Sequence, residues 1–144
     1  METPTKEKTV SDLEQHLGLS LYQVMSKQIF YSGRDGYGKE ILVCTPYSRL
    51  HAQGNGWIDL TTIQFAMLDK VRDSILAFRI QPNNVYYFYF QDLKPYMTKE
   101  TMVYNKHEGD HWKIYIWPNY IQVLGNKKIF KSRPNSLDDL RAQF

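Results

Sequence analysis

One cysteine, Cys44, stands in 144 residues, so no internal disulfide can staple the fold. No apolar run approaches the roughly 20 residues that span a bilayer, and no apolar stretch near Met1 has the form of a signal peptide. A cytoplasmic protein without membrane contact is the expectation. Internal repeats and low-complexity segments are also missing. Acidic residues are absent from His111 to Leu137, while Lys113, Lys127, Lys128, Lys131 and Arg133 all fall in that stretch. A net charge of only +3 does not demand nucleic acid as a partner, but this local field suits phosphate or an acidic protein face.

What the chain does have is aromatic area: 15% of residues, 11 of them Tyr. Ring-bearing and β-branched runs favour strands, and the length suits one domain with its own core. Residues 1–10 read as a flexible polar segment and 11–144 as a single α+β domain. Its expected centre is a mixed, aromatic-rich β-sheet flanked by helices.

Ser11 with Glu14 three residues later forms a capping-box pattern that starts a helix carrying Leu13, Leu17 and Leu21. Strands are predicted over Ile29–Ser32 and Ile41–Thr45, around a glycine-punctuated loop from Gly33 to Gly38. After a polar stretch, Asp59 or Thr61 caps a helix with Leu60, Ile63, Met67, Leu68 and Val71 at helical spacing. Ser74–Ile80 and Val85–Phe90 then make a tight antiparallel pair across Gln81-Pro82-Asn83-Asn84. A short helix follows from Asp92. Strands come next at Met102–Asn105, Trp112–Trp117, Tyr120–Leu124 and Lys128–Phe130, with a closing helix from Ser136.

Four constellations bear on function. His107-Glu108-Gly109-Asp110-His111 matches H-E-x-x-H, whose two histidines ligate zinc when a helix puts them on one face. Gly109 and Asp110 oppose a helix here, and the alternating strand begins at once, so a hairpin turn is the better reading. Upstream, Thr9 to Ser20 leading into Leu21–Gln28 resembles a helix-turn-helix, whose second helix would present Tyr22, Gln23, Ser26 and Lys27 to a major groove. One kinked packing helix accounts for the same residues.

The third is an order of elements: a strand ending in Thr45-Pro46, a polar loop, a helix with Thr61, Thr62 and Gln64, the strand Ile75–Ile80, then Val85–Phe90 and Asp92-Leu93. This order resembles the core of PD-(D/E)XK nucleases and is most similar to the RecU-type Holliday-junction resolvases, over roughly Gly33 to Tyr96. The resemblance implies a restriction-nuclease-like core in which carboxylates and a lysine hold Mg around an attacking water. Asp35 matches the isolated acidic position and Gln64 the helix glutamine. The Glu-x-Lys signature falls on Leu42, Val43 and Cys44, and is absent. A displaced metal and catalytic site would use Asp35 and Glu40.

Fourth, alternation sends Tyr86, Phe88 and Phe90 to one face of their strand and Tyr87 and Tyr89 to the other, for core packing or for stacking on bases, with core packing favoured. Trp112, Tyr115, Trp117 and Tyr120 extend the aromatic run. Together these features point to a DNA-associated protein with a nuclease-like fold that has lost cleavage and needs no cofactor. It would contact DNA through Tyr22, Gln23, Lys27, Lys113, Lys127, Lys128, Lys131 and Arg133. Two alternatives stand beside it: a Mg-dependent endonuclease or resolvase, and a protein-interaction or inhibitor module of a mobile element with an acidic partner.

Overall fold

Thr5, not Ser11, opens the first helix. Its hydroxyl accepts the Lys8 N–H, α1 runs Lys6–Leu17, and Gly18 ends it in the left-handed conformation at φ 69°, donating to the Glu14 carbonyl. Lys6, Glu7 and Lys8 are good helix formers, so the helix extends upstream to the earlier cap. Glu14 takes no part in a capping box; its Oε2 accepts the Leu21 N–H at 2.9 Å. The computed structural model describes residues 2–24 and 26–143. Within the segment expected to be flexible, the Glu2 carbonyl accepts from Asn83 N–H at 2.8 Å and the Pro4 carbonyl from buried Arg79 at 3.1 Å.

The second helix of a helix-turn-helix does not form. Tyr22–Gln23 is instead a short strand, β1, and Ser26 sits at φ 64°, outside any helix. The elements then follow as β2 (Phe30–Arg34), β3 (Glu40–Cys44), β4 (Tyr47–Ser48), β5 (Gly56–Thr61), α2 (Thr62–Asp69), β6 (Asp73–Ile80), β7 (Asn84–Tyr89) and α3 (Phe90–Leu93). A 3-10 turn at Lys94–Tyr96 leads to β8 (Val103–Asn105), β9 (Gly109–Trp117), β10 (Tyr120–Val123), β11 (Ile129–Lys131) and a closing 3-10 segment, Leu137–Gln143.

β1 replaces the helix because it pairs with β2, Tyr22 opposite Ser32. That pairing uses the missing side chain of Gly33: a Cβ there would stand 2.3 Å from the Ser20 carbonyl oxygen. Gly33→Ala is therefore expected to push the Leu19–Leu21 backbone off β2 and cost about 1–3 kcal/mol, read as a lower urea midpoint. Unchanged stability would mean that this close approach is not needed.

The strands make two sheets, an α+β architecture as expected. The first has the order β1-β2-β3-β6, with β3 and β4 both parallel to β6 and β7 antiparallel on the other edge. It is mixed and aromatic-rich, but its central strand is β6; the aromatic β7 pairs only with β6 among the described residues. One face lies under α1 and the C-terminal segment, where Val10, Leu13 and Leu140 meet Tyr31, Val43, Ile75, Tyr87 and Tyr89. The other face carries Phe30, Leu42, Cys44, Leu76, Phe78 and Tyr86 into the main core, with Phe90 of α3 beside them. Tyr87 and Tyr89 are thus packing residues, and their burial pushes both phenols up.

The second sheet, β11-β10-β9-β5 with β8 on β9, is antiparallel throughout. Leu60, Trp112, Ile114, Ile116, Ile121 and Val123 close the main core from its inner face. No helix among the described residues is long and apolar enough to cross a membrane.

Candidate functional site

Alternation along β5, and along β9 from Trp112 onward, puts one set of residues in the core and the next outside. Trp57 and Asp59 face outward from β5; Lys113, Tyr115 and Trp117 from β9; Tyr120 from β10. Backbone register pairs Trp57 with Tyr115, Asp59 with Lys113, Thr61 with His111, and Trp117 with Tyr120. The rings meet across the strands: Trp57 lies 5.6 Å from Tyr115 at 62°, and Trp117 stacks 6.0 Å from Tyr120 at 23°. Lys113 Nζ stands 4.2 Å over the Trp57 ring, and the His51 ring lies 5.5 Å from it. All four rings remain partly open to solvent. An antiparallel sheet with one face in water ordinarily turns polar side chains outward there, whereas this face turns out four rings.

At the β8–β9 end the same face carries charge. Asn105 Oδ1 accepts the His107 and Glu108 N–H groups and Gly109 turns at φ 69°, so H-E-x-x-H spans a hairpin turn, as its glycine suggested. His107 remains exposed on that turn, whereas His111 is 1% exposed on β9. His111 Nδ1 lies 2.9 Å from the Gly109 carbonyl, which can only accept, so Nδ1 carries a proton. Nε2 has no hydrogen-bond partner and sits 3.7 Å from both Asp59 Oδ1 and Glu108 Oε2.

Asp59 Oδ1 accepts Trp57 Nε1 at 2.8 Å and Lys113 Nζ at 3.0 Å. Burial works against its ionisation, but these hydrogen bonds and that of Glu108 outweigh it and hold the carboxyl below its usual range. Burial first, then the neighbouring Asp59, pushes Glu108 up. Asp59 is the carboxylate of the pair, and Glu108 keeps a proton longer.

The residues singled out in the sequence scatter. Asp35 Oδ1 accepts the Tyr37 and Lys39 N–H groups at 2.9 and 3.0 Å, shaping the β2–β3 turn. Glu40 pairs across strands with Arg34 and accepts Ser32 Oγ at 3.2 Å. Leu42 and Cys44, where the resemblance would put Glu and Lys, lie in the apolar core, and burial pushes the Cys44 thiol up. Gln64 closes the Thr61 capping box on α2. Tyr22 and Gln23 are exposed on β1, an edge strand of the first sheet, and Lys27 is exposed between β1 and β2; none lies on a recognition helix.

Of the basic segment, Lys113 and Lys131 border the aromatic face, Lys131 opposite Tyr120. Lys128 stands 5.6 Å over Phe130, Lys127 is exposed beside it, and Arg133 is paired with Asp139 at 2.8 Å. Trp57 and Asp59 were missed because Asp59 read as a helix cap. The alternation Trp57-Ile58-Asp59-Leu60 was the available signal.

Comparison of the chain with family models, with curated proteins and with solved structures gives no match.

Proposed function

We propose that the protein binds nucleic acid, with unpaired bases lying on the open face of the β5-β9-β10-β11 sheet. Trp57, Tyr115, Trp117 and Tyr120 serve as stacking surfaces, and Lys113, Lys127, Lys128 and Lys131 meet phosphates. The observation that carries this is the set of cross-strand ring pairs, partly open to solvent and bordered by lysines. Every base has a π face, so such a platform holds a strand without requiring one sequence. The element order that resembles a nuclease core supports a DNA-associated role. The apolar Leu42 and Cys44 support the loss of that family's cleavage.

Fluorescence anisotropy with a labelled single-stranded oligonucleotide tests this. Four phosphate contacts predict that log K falls with log salt at a slope of about −3, with quenching of Trp emission on binding. Lys127→Glu with Lys128→Glu and Lys131→Glu should flatten the slope and weaken binding. Salt-independent or unquenched binding, or an unaffected triple variant, would refute the reading; capture of an acidic protein in place of the oligonucleotide would favour an interaction module.

A further inference from the structure

We infer that Asp59, Glu108 and His111 form a binding site for a divalent transition-metal ion, zinc being the best fit. One ligand atom from each residue lies within 4.8 Å of the others, on the outer face of the second sheet. Two carboxylates close together do not by themselves make such a site. The deciding group is His111, buried to 1% exposure with Nε2 lacking any hydrogen bond.

A buried ring nitrogen that faces two carboxyl oxygens and bonds to neither leaves the position that a cation held between the three would fill. At 3.7 Å from each of them, Nε2 makes a hydrogen bond to neither Asp59 nor Glu108. A tetrahedral metal with bonds of about 2.0–2.2 Å holds its ligand atoms about 3.3–3.6 Å apart, so small side-chain movements close the site. The Nδ1 contact to the Gly109 carbonyl at 2.9 Å is the outer hydrogen bond that fixes the tautomer and aim of a metal-bound imidazole. Trp57 and Lys113 hold Asp59 in the same way, at 2.8 and 3.0 Å.

One imidazole with two carboxylates suits zinc better than calcium or magnesium, which prefer oxygen alone. Three protein ligands leave a position for water or an anionic oxygen. Lys113 adds positive charge beside it. The assignment does not rest on nucleic-acid binding, although Trp57 and Lys113, which hold Asp59, also belong to the aromatic end of the face.

The full chain, stripped with a chelator and titrated with zinc against a chromogenic competitor, should take up one equivalent. Cobalt in place of zinc should give the visible absorption of a tetrahedral site. Glu108→Gln, on a partly exposed turn, and Asp59→Asn should each weaken zinc binding at least tenfold, with thermal melts confirming that both variants fold. His107→Ala, at the exposed histidine of H-E-x-x-H, should bind as the parent does. Long-range proton–nitrogen spectra should show His111 Nε2 shifting on zinc addition while Nδ1 keeps its proton. No saturable zinc uptake, uptake indifferent to Glu108→Gln and Asp59→Asn, uptake lost in His107→Ala, or an imidazolium His111 untouched by zinc would each overturn the assignment.

Discussion

Phe90→Ala is expected to lower the unfolding free energy by about 3–5 kcal/mol. The ring is fully buried at the start of α3, meets Phe65 of α2 edge-on at 5.0 Å, and Phe65 in turn lies 4.8 Å from Trp112 of β9. Three elements from both sides of the main core thus converge on one side chain. Removing it leaves a cavity that strands on two sheets cannot close by moving together. Native domains hold only about 5–15 kcal/mol in total, so the loss should shift the urea midpoint far down with little change in slope. Ile63→Ala on the exposed side of α2, where the residue is 68% open, should stay within about 0.5 kcal/mol. A Phe90→Ala midpoint close to that of Ile63→Ala would show that the two sheets are not joined through this cluster.

Local chemistry was legible in the sequence wherever it was decided locally. The Gly33–Gly38 hairpin, the Thr61 cap, the turn through Pro82 and the placing of Tyr86 and Tyr87 on opposite, packed faces of β7 all follow from residue type and period. Pairing between distant segments was not legible. Tyr22–Gln23 looks helical in isolation and becomes a strand only because Gly33 leaves room beside β2. β7 looks central because it is apolar on both faces, yet its lack of polar positions reflects cover from α1 and the second sheet, not strands on both edges.

The cluster of Asp59, Glu108 and His111 shows the same limit. Asp59 and His111 are 52 residues apart, and only the register that sets Thr61 against His111 brings them together. Period-two alternation places each on an outward face. Neither residue names its neighbour.

Replacing Trp57 and Trp117 together by Ala should cost about 2–6 kcal/mol in single-strand affinity, at least roughly thirtyfold, since each stacked base is worth about 1–3 kcal/mol. Both rings sit on the outer face, so the core beneath, with Ile58 and Ile116 buried, stays filled and thermal stability should change little. Trp57→Ala also removes the indole N–H that Asp59 accepts and the ring under Lys113. Trp57→Phe separates these effects: it keeps a stacking face, loses the N–H, and should retain most of the affinity if stacking is what binds. Tyr22→Ala and Tyr37→Ala control for exposed rings in general, being 72% and 98% open but on the first sheet and its hairpin. Those two variants should bind as the parent does. A double Trp variant with parental affinity would leave the ring pairs as surface packing; a loss equalled by the two Tyr variants would place the strand elsewhere on the molecule. A loss confined to Trp57 and Trp117, and recovered by Phe, is the pattern that only a stacking platform on this face produces.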